Sequence, residues 1–257
     1  MNRLHLFAAA AALQALAFTP ALAGDNLDQI KADGVLKIGT EGTYAPFTYH
    51  DDSGKLVGFD VEIGEAIAKQ LGVKPEFVEG KWDGLIAGLD AKRYDVVINE
   101  VGITEARKEK YAFSEPYIAS KAVLIVSAKN EDIKGFADLK GKKSAQSLTS
   151  NFGKLAEQNG ASLVGTDGFD QSIQLVITGR ADATINDSLS YLDFKKHQPN
   201  APVKVVAEEA NADHSGVLIR KGDEDLVAAI DKALADIKAD GTYQTISEKY
   251  FGEDVSK

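Results

Sequence analysis

Residues 82–100 and 169–187 carry one pattern twice. When WDGLIAGLDAKRYDVVINE is set over FDQSIQLVITGRADATIND at a constant offset of 87 residues, Asp83, Ile86, Arg93, Asp95, Ile98 and Asn99 fall on Asp170, Ile173, Arg180, Asp182, Ile185 and Asn186. Trp82 meets Phe169 and Glu100 meets Asp187. Each copy reads as an amphipathic helix running into a short apolar strand that stops at an Asn–acid pair. Two copies imply two similar α/β lobes, each bringing a carboxylate to the carboxyl end of a parallel strand. Ligands of open α/β sheets sit at such strand ends, so a cleft between lobes is the expected site. Chance similarity of two helix–strand units is the competing reading.

Residues 1–23 (MNRLHLFAAAAALQALAFTPALA) combine an early Arg3, an apolar run and a small-residue end at Ala21–Ala23. That pattern predicts a cleaved export signal and a chain that works outside the cytoplasm. The run is interrupted by Gln14, Thr19 and Pro20, which disfavours a membrane anchor. The chain has no cysteine, which excludes disulfides, thiolate metal sites, cysteine nucleophiles and a lipid-carrying cysteine. An exported domain without disulfides needs a sufficient apolar core, which 257 residues can supply. The net charge of −10 argues against nucleic acid or an anionic membrane as partner.

Leu36–Thr40 reads as a first strand, and Gly58–Gly72 as a helix with Ile63, Ala66, Ile67 and Leu71 on one face and Gly72 past its end. A strand near Phe77–Val78 follows. Lys121–Ser127 (KAVLIVS) reads as a strong strand crossing between lobes, and Gly216–Arg220 as a second crossing. Between them lie strands near 143–147, 162–164, 182–186 and 203–206, with helices interposed. Helices over Asp223–Asp240 and Tyr243–Tyr250 end the chain. Alternating strands and helices imply largely parallel sheets. The expected division is a leader at 1–23, one lobe of 24–117 plus 216–257, a second lobe of 122–210, and a hinge at 118–121 and 211–215.

Thr104 is suited to cap a short helix whose third position is Arg107. Free N–H groups at a helix start and a guanidinium fork together receive a carboxylate, and Gly102 lets a ligand approach the backbone. A bridge from Arg107 to Glu105 is the bland alternative. Asp187, at the end of the second repeated strand, suits an ammonium facing Arg107 across a few ångströms, or the cap of the helix after it. Tyr44 and Trp82, at strand-to-helix junctions, are candidate walls for a ligand side chain, though core packing is the commoner role for aromatics. The polar stretch Ser147–Phe152 offers a second anion nest. His50, His197 and His214 are isolated, with no metal-ligand spacing, and neither a dinucleotide nor a nucleotide loop nor a nucleophile elbow is present.

These residues resemble a known family, the periplasmic solute-binding proteins for polar amino acids that feed ABC importers. Gly58-Phe-Asp-Val-Glu-Ile resembles its helix-opening signature, Ile103-Thr104-x-x-Arg107 with Phe113-Ser-Glu-Pro-Tyr117 its central block, and Gly241-Thr-Tyr with Lys249-Tyr-Phe-Gly252 its tail. Glu41-Gly-Thr-Tyr-Ala-Pro-Phe47, Lys81-Trp-Asp-Gly84, Asp95–Asn99 and Leu148–Phe152 are most similar to the L-cystine-binding branch. The chain departs from that branch at Glu100, where Gln is frequent, and at Thr149, where Gly is common.

The resemblance implies a periplasmic binding protein-like α/β fold, two lobes with mostly parallel sheets joined by two hinge strands and closing around ligand. By position, it implies that Arg107 and the Gly102 N–H bind an α-carboxylate, helped by the loop at Ser150–Asn151. Asp187 and the Glu100 carbonyl would take the α-ammonium, Tyr44 and Trp82 would pack the side chain, and Glu41 would select its far end. It further implies a monomeric receptor with a membrane permease as partner and no cofactor, metal or nucleic acid. The alternative on the same fold is a cyclohexadienyl dehydratase-like enzyme, with Glu41 or Glu100 as general acid.

Overall fold

Alternating strands and helices close into two five-stranded sheets. The protein is described from a computed structural model covering residues 25–256; the expected export signal lies outside the described residues. The first stretch forms α1 (Asp25–Asp33), β1 (Val35–Thr40), a small antiparallel sheet of β2 (Thr43–Tyr44), β3 (Thr48–His50) and β4 (Leu56–Val57), then α2 (Phe59–Leu71), β5 (Lys74–Glu79), α3 (Trp82–Asp90), β6 (Val96–Val97), α4 (Glu105–Lys108) and β7 (Tyr111–Phe113). After β8 (Ile118–Ser120) come β9 (Ala122–Ser127), β10 (Lys143–Gln146), α5 (Asn151–Gln158), β11 (Ser162–Gly165), α6 (Phe169–Ile177), β12 (Ala183–Asp187), α7 (Ser188–His197) and β13 (Val203–Glu208). The chain returns through β14 (Asp213–Ser215) to β15 (Leu218–Arg220), α8 (Glu224–Ala239) and α9 (Thr242–Phe251).

The first sheet runs β5-β1-β6-β15-β7 and the second β11-β10-β12-β9-β13. In each, the strands linked through helices are parallel, while the strands that follow a passage between lobes run antiparallel, so both sheets are mixed. The chain passes between sheets on β8 and β14, which pair antiparallel with each other. The two segments expected to cross, Lys121–Ser127 and Gly216–Arg220, instead belong to the sheets as β9 and β15. Ala122–Val126 are all buried, because a strand with neighbours on both edges and layers on both faces needs an unbroken apolar run.

The sequence repeat is a structural repeat. Helices α3 and α6 begin and end at the same offset, and Asp95 and Asp182 do the same work in each copy. The Asp95 carboxylate accepts the Lys37 amide at 2.9 Å, and the Asp182 carboxylate accepts the Lys143 amide at 2.7 Å. Each ties the start of its strand to the strand beside it.

Helix α2 buries Phe59, Ile63 and Ile67 completely, each such side chain contributing roughly 1.5–3 kcal/mol relative to exposure. Phe59 packs against the rings of Tyr117, Tyr243, Tyr250 and Phe251, which anchors α9 to the first lobe. Gly58 precedes the helix at φ 137°, and a Cβ there would stand 2.2 Å from the Phe47 carbonyl oxygen. Only glycine lets α2 start this close to the small sheet that carries Tyr44.

Candidate functional site: a cleft between the lobes

Glu41, Tyr44, Trp82, Asn99, Glu100, Ser147, Ser150, Asn151, Phe152, Gly168 and Phe169 line a cleft between the two sheets. Six of the residues named from sequence are thus in one wall set. The space between these walls is about 40 Å³, room for about three waters, so an amino acid must enter through a more open form.

Trp82 opens α3 and Phe169 opens α6, so the repeat places one aromatic ring on each side of the cleft. Both are largely buried there. The Trp82 Nε1 is buried without a hydrogen-bond partner among the described residues. Glu41 directly follows β1, where its amide donates to Asn99 Oδ1 at 2.7 Å and its carboxylate accepts from Asn99 Nδ2 at 2.7 Å and from the Trp82 backbone. Burial pushes the Glu41 carboxyl up to about 7, against those hydrogen bonds.

Arg107 sits in α4, capped by the Thr104 hydroxyl, which accepts the Arg107 amide at 3.3 Å. Its guanidinium stacks on Trp82 at 5.2 Å from the ring centre and donates from Nη1 to the Gly102 carbonyl at 2.8 Å. The bland bridge to Glu105 does not form, since Glu105 pairs with Lys108. Among the described residues Arg107 has no carboxylate at ion-pair distance. Burial lowers it to about 10, opposed by the charge of Glu100. A Cβ on Gly102 would lie 3.4 Å from Asn151 Nδ2 and 3.5 Å from Arg107 Nη1, so glycine keeps this corner open. Ser150 caps α5 by accepting the Gly153 amide at 2.9 Å, leaving the N–H groups of the helix start as the anion donors of that loop.

Asp187 fulfils the capping alternative. Its Oδ1 accepts the amides of Leu189 and Ser190, and its Oδ2 accepts the Ser120 hydroxyl. A carboxylate has about four lone-pair sites, so the cap leaves capacity for an ammonium. Among the described residues Asp187 and Arg107 form no ion pair with each other. Glu100 is the charge that acts on both. Burial pushes Asp187 up to about 6 and raises Glu100 well above the carboxylate range, the latter aided by Asp187 and Asp60. Glu100 has φ 47°, a left-handed backbone that costs about 1–3 kcal/mol in a non-glycine residue. Its amide is held by Asp60 Oδ2 at 2.5 Å and by the Tyr117 hydroxyl at 3.2 Å.

The lobes are drawn together by contacts from both sides. Asp83 accepts the Thr149 amide and hydroxyl, each at 2.9 Å, and the Leu148 amide at 3.3 Å. Lys81 pairs with Asp167 at 2.7 Å, Ser190 donates to the Ala45 carbonyl at 2.8 Å, and the Tyr44 hydroxyl reaches Asn186 at 3.0 Å. Ser147 and Phe152 bound the polar stretch read from the sequence as a second anion nest, and both line the cleft. Asn99, Gly168 and Phe169 line it without having been singled out as ligand residues. For Phe169 the signal was present in its alignment with Trp82, and for Asn99 in the repeated Asn–acid ending.

Residues 36–253 match the bacterial extracellular solute-binding proteins, family 3. The chain belongs to that family. Among the relatives of this solute-binding protein is the L-cystine-binding protein TcyA of Bacillus subtilis, 49% identical over 235 residues, which are 91% of this chain and 87% of that one. Among solved structures, an ancestral arginine-binding protein bound to glutamine superposes with a TM-score of 0.81 at 42% identity, over 86% of this chain and 99% of that one. The L-cystine solute receptor of Neisseria gonorrhoeae, in its unliganded open conformation, is 48% identical over 91% of this chain and 100% of that one, with a TM-score of 0.60. The more similar sequence superposes less well. Its lobes stand apart, whereas the cross-cleft bonds here describe the closed arrangement of this solute-binding protein.

Proposed function

We propose that this chain captures a polar L-amino acid, with L-cystine favoured, outside the cytoplasm and delivers it to an ABC importer permease. The observation that carries this reading is Arg107, a half-buried guanidinium with no carboxylate at ion-pair distance among the described residues, stacked on Trp82, a wall of the cleft that Glu100 also lines. A zwitterion satisfies both ends at once. Its α-carboxylate pairs with Arg107, the Gly102 N–H and the start of α5. Its α-ammonium takes the remaining lone pairs of Asp187 and the Glu100 carbonyl.

The side chain then lies between Tyr44, Trp82 and Phe169. L-cystine suits this because sulfur packs favourably on aromatic rings and its second ammonium can meet Glu41. Relatives named for cystine binding support the same ligand. The lobes are 24–117 with 216–257 and 122–210, hinged at 118–121 and 211–215. Ligand bridging them shifts the equilibrium toward closure. The protein acts as a monomeric periplasmic receptor after cleavage of its export signal and releases its ligand unchanged, without cofactor.

The test is a titration with L-cystine, then cysteine, glutamine and arginine, followed by Trp82 emission and by calorimetry, with recovery of unaltered ligand. Saturable binding selective for cystine is expected. Calorimetric silence toward cystine with binding of another amino acid would remove the ligand assignment, and a prephenate-like substrate converted to product would favour the dehydratase reading instead.

A further inference from the structure

The hydrogen bonds around Tyr44 require one more proton than its phenol carries. Asn186 Oδ1 accepts the Asp187 amide at 2.8 Å, which identifies it as the carbonyl end of the side chain. The Tyr44 hydroxyl, 3.0 Å from that oxygen, must therefore donate to it. The same hydroxyl lies 3.2 Å from Glu100 Oε2. A phenol has one hydrogen, so this second contact is a hydrogen bond only if the proton comes from Glu100. The Ser215 hydroxyl lies 3.0 Å from Glu100 Oε1 and 3.3 Å from the Glu100 carbonyl oxygen; donating to the nearer Oε1, it leaves Oε2 as the protonated oxygen.

The surroundings agree with a neutral acid. Asp60 on α2 and Asp187 on β12 both act on Glu100 with like charge. Tyr117 beside β8 and Tyr44 on β2 complete its titratable neighbours, with Glu41 and Asp213 acting on Tyr44 and Asp187 in turn. Arg107 is the cation that senses Glu100, but it is not within ion-pair distance. The partners of Asp60, the Glu100 amide and Tyr117, belong to the first lobe and its crossing. Those of Asp187, Ser120 and the start of α7, belong to the crossing and the second lobe. Within this network Tyr44 to Asn186 is the bond that spans the cleft.

We propose that Glu100 is a positioning residue for closure: as a neutral acid it donates to Tyr44, aims the Tyr44 hydroxyl across the cleft at Asn186, and so makes closure over ligand take up one proton. The proposal rests on the amino-acid-binding reading above. If Glu100 were ionised, the phenol would turn to the charged acceptor and two oxygens would face each other at the Asn186 side. In the open form Glu100 loses Asn186 and Asp187 from its surroundings and meets water, so it binds its proton less tightly. Closure raises its proton affinity. The stabilisation is therefore present at low pH and fades as pH rises toward the closed-form value, with affinity falling up to tenfold per pH unit between the two.

Calorimetric titration with L-cystine in buffers of different ionisation enthalpy counts the protons directly. The wild type should take up as much as one proton per ligand over the pH range in which its affinity falls with rising pH, by up to tenfold per unit. Glu100→Gln keeps the shape and supplies a permanent N–H donor to Tyr44. It should show no uptake and less than a threefold change in affinity over that range, whatever its absolute affinity. A spacer or purely structural role would not make this variant pH-independent. Wild-type binding without proton uptake, or uptake retained in Glu100→Gln, would overturn the inference and leave the amino-acid reading intact. If cystine does not bind, the same count is made with arginine, glutamine and histidine. Failure of all four to bind would overturn both.

Discussion

Trp82 and Phe169 open equivalent helices in the two lobes, and their rings wall one cleft from opposite sides. A duplicated helix–strand unit thus becomes a pair of jaws around the cleft.

Removing one jaw should act mainly on binding. Phe169→Ala forfeits about 1–3 kcal/mol of apolar contact with the ligand, or roughly five- to 150-fold in affinity by calorimetry. Because Phe169 also packs against Phe194, some loss of thermal stability accompanies it. An unchanged affinity would show that the ring serves the core alone.

Arg107→Ala leaves the ligand carboxylate without its charged partner. Truncating one side of a buried ion pair costs about 3–5 kcal/mol, so affinity should drop by about 10²–10³ or more. Circular dichroism should remain that of wild type, since the guanidinium's contacts are a hydrogen bond to the Gly102 carbonyl and the Trp82 face, and the Thr104 cap uses the backbone amide that alanine keeps. A folded variant within threefold of wild type would remove Arg107 from the site.

Asp83 latches the closed form through three hydrogen bonds to the loop at 148–149. The contact is exposed, so its worth is at the low end for a charged acceptor, about 1 kcal/mol. Asp83→Asn should raise the ligand off-rate about three- to tenfold in stopped flow, leave the on-rate nearly unchanged and keep the melting temperature within a few degrees. An altered on-rate with the off-rate unmoved would assign Asp83 to the open form instead.

Asp60 is buried, and desolvation raises it to about 7 from 3.8. A carboxyl raised on folding stabilises fully below its unfolded value, and that contribution is lost as pH climbs through the folded value. For Asp60 the window runs from about pH 4 to 8 and spans on the order of 4 kcal/mol. Glu41, raised to about 7, and Asp187, raised to about 6, act in the same direction. The wild-type melting temperature should therefore decline from about pH 5 to 8. Asp60→Asn should flatten that decline, and an equal slope in both proteins would show that Asp60 is ionised without penalty.

The local periodicity of this chain determined its elements and its duplication. Helix α2, the apolar run of β9 and the 87-residue repeat with Trp82 over Phe169 and Glu100 over Asp187 are all legible because period and composition report burial residue by residue. The helix start at Thr104 is likewise marked by local chemistry. Only the tertiary structure decided that Lys121–Ser127 and Gly216–Arg220 lie within the sheets as β9 and β15, since an apolar run reports burial and not which strands it joins. The same holds for the joining of Tyr44, Glu100 and Asn186 across the cleft. Hydrogen-bond partners distant in sequence, and the proton count they impose, depend on how two lobes meet, and no local pattern encodes that distance.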